Sequence, residues 1–174
     1  GVIEVSGIIG MGEGDDILRN DGTMTAGKIK LGLGSDTIYV NSPINTSTVD
    51  GGSHEVDISN GTNVDVVRFG ANGGEGTIDG SNYINFEKAV QVDGTWNYDK
   101  DFSHIPQFVV TGGVMEANDD KPATFNNLTL KGGQIQTDIH DHSGASYPAP
   151  IKVAGSFNYQ SGSLVINAEQ MANP

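Results

Sequence analysis

Two acidic glycine turns are the first residues of this chain whose types and spacing could do chemistry. Gly12-Glu13-Gly14-Asp15-Asp16-Ile17-Leu18 returns 20 residues later as Gly32-Leu33-Gly34-Ser35-Asp36-Thr37-Ile38. In calcium-binding nonapeptide turns, main-chain carbonyls and a carboxylate at the sixth position ligate an ion between adjacent turns. Asp16 and Asp36 hold that position. Ligation of that kind needs the unit about every 9 or 18 residues. Here it comes once in 20, with Met11 and Leu31 where a first glycine belongs. A corner turn closed by an Asx hydrogen bond suits the spacing better, with calcium as the alternative.

A second set is Asp138-Ile139-His140-Asp141-His142. If the segment is extended, Asp138, His140 and His142 share one side, a geometry adequate for a divalent transition metal. It borders a proline-containing loop, so a solvated polar loop is the preferred reading. His54 and His104 stand alone and are assigned no role. Asn118-Asp119-Asp120, Gly52-Ser53-His54 and Gly27-Lys28-Ile29-Lys30 invite comparison with pectin-degrading β-helices, which gather aspartates, a Gly-His-Gly and a basic residue. The order is wrong, because the acidic pair comes last, beside Lys121-Pro122. There is no Gly-x-Ser-x-Gly elbow, P-loop or dinucleotide fingerprint. The expectation is a chain without enzymatic activity, cofactor or bound metal.

Composition narrows the partners. Nine Lys and Arg stand against 22 Asp and Glu, a formal charge of −13. Such a field repels nucleic acid and anionic lipid. There are no cysteines, so packing and main-chain hydrogen bonds must supply the stability. No run of ~18 apolar residues suggests a membrane helix, and the chain is not expected to be membrane-embedded. It opens Gly-Val-Ile-Glu with the repeat running by Ile8, which reads as a piece of something larger.

The elements that position these residues are short strands. Apolar residues alternate, and the 25 glycines sit at repeat positions, not in runs. Ile29-Lys30-Leu31, Thr37-Ile38-Tyr39-Val40, Val64 to Phe69, Phe108-Val109-Val110, Leu128-Thr129-Leu130 and Ser163 to Ile166 have the β-branched and aromatic content of strands. Glycine marks at Gly32 and Gly52, and again at Gly112 and Gly132, are 20 residues apart. That is the length of one coil of three short strands joined by tight turns. The predicted fold is all-β, a right-handed parallel β-helix of about 20 residues per coil. Roughly eight coils at ~4.8 Å would make a rod on the order of 40 Å long. The inward ladder is predicted to be Ile17, Ile38, Val67, Val90 or Val92, Val110, Leu130 and Val153. Phe157-Asn158-Tyr159-Gln160 and Ser163 to Ile166 flank Ser161-Gly162 and predict a C-terminal hairpin cap over the open stack.

One phrase is more specific. Asn85-Phe86-Glu87 followed by Gly94-Thr95-Trp96-Asn97-Tyr98, within positions 79 to 98, resembles a phrase near the end of type V autotransporter passenger domains, in the class of the AIDA adhesin and the actin-motility protein IcsA (VirG). The glycine-aspartate coils before it are similar to what precedes that phrase in the family. The Val-Thr-Gly-Gly, Leu-Lys-Gly-Gly and Gly-Ser-Phe-Asn-Tyr segments after it are similar to the autochaperone, or junction, region. The resemblance implies regular coils over 1–78 and autochaperone-like terminal coils and cap over 79–174, in one continuous solenoid. It implies a secreted stalk displayed on a bacterial outer membrane after export through the periplasm. Its partners would be its own translocator barrel and upstream passenger in cis, with a host protein or glycan as the alternative ligand of its surface. The folding nucleus is expected at Phe86, Gly94, Thr95, Trp96, Tyr98, Gly112, Gly132, Phe157 and Tyr159. Aromatic rings there would bury large areas, and the glycines would allow the corners.

Overall fold

A computed structural model describes residues 1–52, 56–57, 61–118, 120–139 and 149–168. The first strands are β1 (Val2–Glu13), β2 (Ile17–Asn20), β3 (Thr23–Leu33), β4 (Thr37–Val40), β5 (Ile44–Asn45), β6 (Val49–Gly52), β7 (Val56–Asp57) and β8 (Gly61–Thr62). They are followed by β9 (Val66–Phe69), β10 (Glu75–Asp79), a 3-10 turn at Gly80–Asn82, β11 (Tyr83–Ile84), β12 (Lys88–Gln91) and β13 (Thr95–Val110). The last are β14 (Val114–Asn118), β15 (Ala123–Ile139), β16 (Ile151–Val153) and β17 (Phe157–Ala168). Among the described residues every strand pairing is parallel except the short β7–β8 pair. The chain is an all-β parallel β-helix of about six turns, stacked roughly 20 residues apart.

Two register lines run its length. Leu18 lies beside Ile38, then Val67, Ala89, Phe108, Leu128 and Phe157 follow rung by rung. Two residues further along each strand the line reads Asn20, Val40, Phe69, Gln91, Val110, Leu130 and Tyr159. Six steps at ~4.8 Å give a stack about 29 Å tall, shorter than a uniform repeat predicts. The reason is two long steps, from Ile38 to Val67 and from Leu128 to Phe157. The first contains the β7–β8 pair. The second contains residues 140–148, which lie outside the described residues.

The predicted inward ladder needs correcting in register. Ile38 and Val67 share one line, whereas Val110 and Leu130 lie on the other. Ile17 points outward and is 67% exposed, while its neighbour Leu18 packs against the core. A one-residue slip reverses the face of a strand residue. Ala89, not Val90 or Val92, fills the inward rung. Val153 belongs to a third line with Phe125 and Phe102.

The hairpin cap is not formed. β17 is one strand that pairs parallel with β15 on both sides of a register shift at Ser161. Gly162, at φ +114, turns a corner of the coil there. Ser-Gly between two apolar runs suits either bend. Continuing the coil pairs both runs with β15, so the parallel arrangement prevails.

Candidate functional site

The middle of the rod is filled with aromatic rings. Phe69 makes edge contacts with Tyr83 and Tyr98, at centroid separations of 5.5 and 5.7 Å, and lies 6.2 Å from Trp96. Tyr98 continues to Phe102 and Phe108, and these meet Phe125 at 5.3 and 4.9 Å. Phe86 joins through Tyr83. All eight rings are buried. At about 150–250 Å² per ring, these eight side chains bury a large apolar area in a narrow coil. Burial raises the hydroxyl pKa values of Tyr83 and Tyr98 well above the usual phenol range, so both remain neutral.

The local sequence assigns each residue of the family-like phrase a job. Asn85 takes a left-handed turn, φ +59, and its Nδ2 donates to Asp50 Oδ1 at 2.8 Å. Phe86 then points inward, and the Glu87 carboxylate accepts the main-chain N–H of Asp65. Gly94, at φ +82, turns the next corner, and the Thr95 N–H donates to Gly74 O at 2.9 Å. Trp96 is wholly buried, with Nε1 donating to Asp93 O at 3.1 Å. A Cβ on Gly70 or Gly94 would stand 2.7 or 2.8 Å from that nitrogen, and one on Gly74 would stand 3.0 Å from Cζ2. Three glycine backbones therefore cage the indole.

Of the predicted nucleus residues, Phe86, Trp96 and Tyr98 come together inside this stack. Thr95 is exposed and contributes through its main chain. Gly112 and Gly132 serve close approach, since a Cβ would meet Val92 O at 2.3 Å and Thr111 O at 2.4 Å. The left-handed conformations belong to their neighbours Gly113 and Gly133. Phe157 and Tyr159 do not join the stack. They are 49% and 59% exposed, because β17 is the last described rung and no described strand covers it. Phe69, Tyr83, Phe102, Phe108 and Phe125 complete the group. Their signal was aromatic residues recurring on inward positions of successive coils, visible only once the register is known.

The acidic turns form a second stack. Asp16 N–H donates to Asp36 Oδ1, Asp36 N–H donates to Asp65 Oδ1, both at 2.8 Å, and Asp65 N–H donates to Glu87. The Asx hydrogen bond expected within a turn is thus made between coils. Burial holds the Asp36 carboxyl above its ordinary value, against the hydrogen bond from Asp16 N–H and with the charges of Asp16 and Asp15. Among the described residues no group of three acidic or histidine side chains lies close enough to hold a metal ion. Asp138 accepts from Asn167 Nδ2, and His140 and His142 lie outside the described residues. So do His54 and Asp119. His104 Nε2 meets Tyr83 O.

On the outer surface, a groove of about 330 Å³ is lined by Lys30, Gly32, Leu33, Asp50, Gly52 and Asn85. Its carboxylate is already engaged by Lys28 at 3.0 Å and by Asn85. No helix among the described residues is long and apolar enough to cross a membrane. No family model matches the chain, and no curated protein and no solved structure matches it.

Proposed function

We propose that this chain is the β-helical stalk and folding nucleus of a secreted, surface-displayed autotransporter passenger, placed close to the outer membrane. The observation that carries the reading is the way the Asn85-Phe86-Glu87 and Gly94-Thr95-Trp96 segments converge. They supply two corner turns, two inward rings and the end of the acidic stack, about half a turn apart in the aromatic part of the rod. A solenoid repeat cannot bury its apolar face alone. Coils that carry eight rings within a few rungs can form first and template their neighbours, which is the task of an autochaperone. The role is structural, with no catalytic step.

The test is complementation. The chain replaces the corresponding coils of an autotransporter whose passenger no longer folds without them, and the passenger is then probed with protease on intact cells. Restored protease-resistant display, lost again on Trp96→Ala, supports the reading. Equal display with and without the chain overturns it.

A further inference from the structure

Three Asn-x-Ser/Thr triplets occur in the chain, Asn45-Thr46-Ser47, Asn60-Gly61-Thr62 and Asn127-Leu128-Thr129. N-linked glycosylation reads this pattern, and it does so on segments reached at a surface. A side-chain amide is a weak nucleophile, because its nitrogen lone pair is delocalised into the carbonyl. A transferase must therefore grip the asparagine and the hydroxyl two residues on together, which needs a free amide and a backbone not held within a strand ladder. Asn60 lies outside the described residues. The other two triplets sit in opposite environments.

Asn127 is closed. It is half-buried within β15, in register with Gln107 of β13. Its Nδ2 donates to Pro106 O at 2.9 Å, and its Oδ1 accepts from the Ser156 N–H at 3.0 Å and the Ser156 hydroxyl at 2.8 Å. The amide thus ties three successive coils together. Leu128, inside the triplet, is buried in the core, and its N–H donates to Ser156 O.

Asn45 is open. Ile44 of β5 packs against the core, so Asn45 faces outward and is exposed. Among the described residues β5 pairs only with β3, where Asn45 lies beside Thr25, and no described residue hydrogen-bonds its amide. Residues 46–48 form a bend before β6 begins at Val49. Ser47 is exposed, and its hydroxyl donates to Gly27 O at the surface, where water or an enzyme can take its place. The site faces sideways from the rod, so coils stacked at either end leave it uncovered.

We infer that Asn45 is the acceptor for an N-linked sugar on the folded rod, and that Asn127, with the same motif, is shut by its coil-to-coil hydrogen bonds. The co-reactant is a hexose activated as a nucleoside diphosphate. Nδ2 of Asn45 attacks the anomeric carbon, and the new C–N bond forms as the bond from that carbon to the diphosphate oxygen breaks. The nucleoside diphosphate leaves with the electron pair, Nδ2 releases one proton to the transferase, and nothing is oxidised or reduced. A neutral hexose there adds a bulky polar group to the flank of the rod and leaves every rung in place.

The test incubates the full folded chain with a nucleoside diphosphate hexose and a soluble N-glycosyltransferase chosen because it modifies short peptides of both sequences. Mass spectrometry of the digested product then locates the sugar. The expected result is a hexose on the peptide carrying Asn45 and none on the peptide carrying Asn127, with the first lost in Asn45→Gln and in Ser47→Ala. Circular dichroism and the melting temperature of the modified chain should equal those of the unmodified one. A folded chain that takes no sugar at Asn45, or takes as much at Asn127, overturns the inference. So does a melting temperature that falls on modification, which would make Asn45 part of the packed coil.

Discussion

The main-chain N–H of Asp36 donates to Oδ1 of Asp65 across 29 residues of sequence and one coil of structure. The Asp36 carboxylate in turn receives the N–H of Asp16, and its Oδ2 is buried without a hydrogen-bond partner. Stacked strands are ~4.8 Å apart, so this corner holds carboxylates one above another, with those of Asp36 and Asp65 buried. The corner gains main-chain hydrogen bonds and loses solvation of a charge.

Asp36→Asn separates the two effects. An asparagine keeps an acceptor for the Asp16 N–H and carries no charge. Asp36 binds its proton more tightly in the folded chain than in the unfolded one, its pKa being raised above the ordinary 3.8. Its contribution is therefore present in full below that ordinary value and is lost as pH rises through the folded value. Thermal unfolding of Asp36→Asn should match wild type at acid pH and exceed it increasingly as pH climbs toward neutral. A difference that is flat with pH, or that shrinks, would show that the buried charge costs nothing.

Calcium should leave the fold unchanged. The Asp36 Oδ1 and the Asp65 and Glu87 carboxylates accept main-chain N–H groups from neighbouring coils. Circular dichroism and the melting temperature are expected to agree in excess chelator and in excess calcium. A transition from coil to strand on adding calcium would contradict this.

Trp96→Ala should be the most damaging single truncation. It empties a wholly buried site caged by Gly70, Gly74 and Gly94, a change that costs about 3 to 5 kcal/mol. Gly94→Ala attacks the same cage from outside, since its Cβ would fall 2.2 Å from Gly74 O at a backbone φ of +82. Phe157→Ala, at a ring already half exposed, should cost about 1 kcal/mol or less. Equilibrium denaturation gives the ranking. Equal losses at Trp96 and Phe157 would place the last rung inside the cooperative core.

The strand content and the coil length were legible in the sequence because glycine marks repeat where successive coils touch through their backbones. Trp96, Phe86 and Tyr98 were legible by a different route, through the one phrase, Asn85-Phe86-Glu87 and Gly94-Thr95-Trp96-Asn97-Tyr98, that carries the family resemblance. The acidic stack was only half visible. Asp16 and Asp36 are 20 residues apart, but the β7–β8 pair inserts itself before Asp65, so Asp65 and Glu87 fall off the spacing. Face could not be read at Ile17, where two adjacent apolar residues compete for one inward rung. Nor could the sequence separate a hairpin turn from a coil corner at Ser161-Gly162.

Hydrogen exchange should follow this distribution of burial. β12 has β9 on one side and β13 on the other, and its inward residues Ala89 and Gln91 are fully buried. β1 and β17 each have one described neighbour and present exposed apolar residues. Opening an edge rung breaks one ladder, whereas opening β12 breaks two and disturbs the line of Phe69 and Phe108. Amides of β9, β12 and the ring-bearing parts of β13 and β15 should therefore exchange slowest, near the global unfolding limit. Those of β1 and β17 should exchange faster. Edge strands already as protected as β12 in dilute solution would mean that the whole stack opens as one unit, with no nucleus among the aromatic coils.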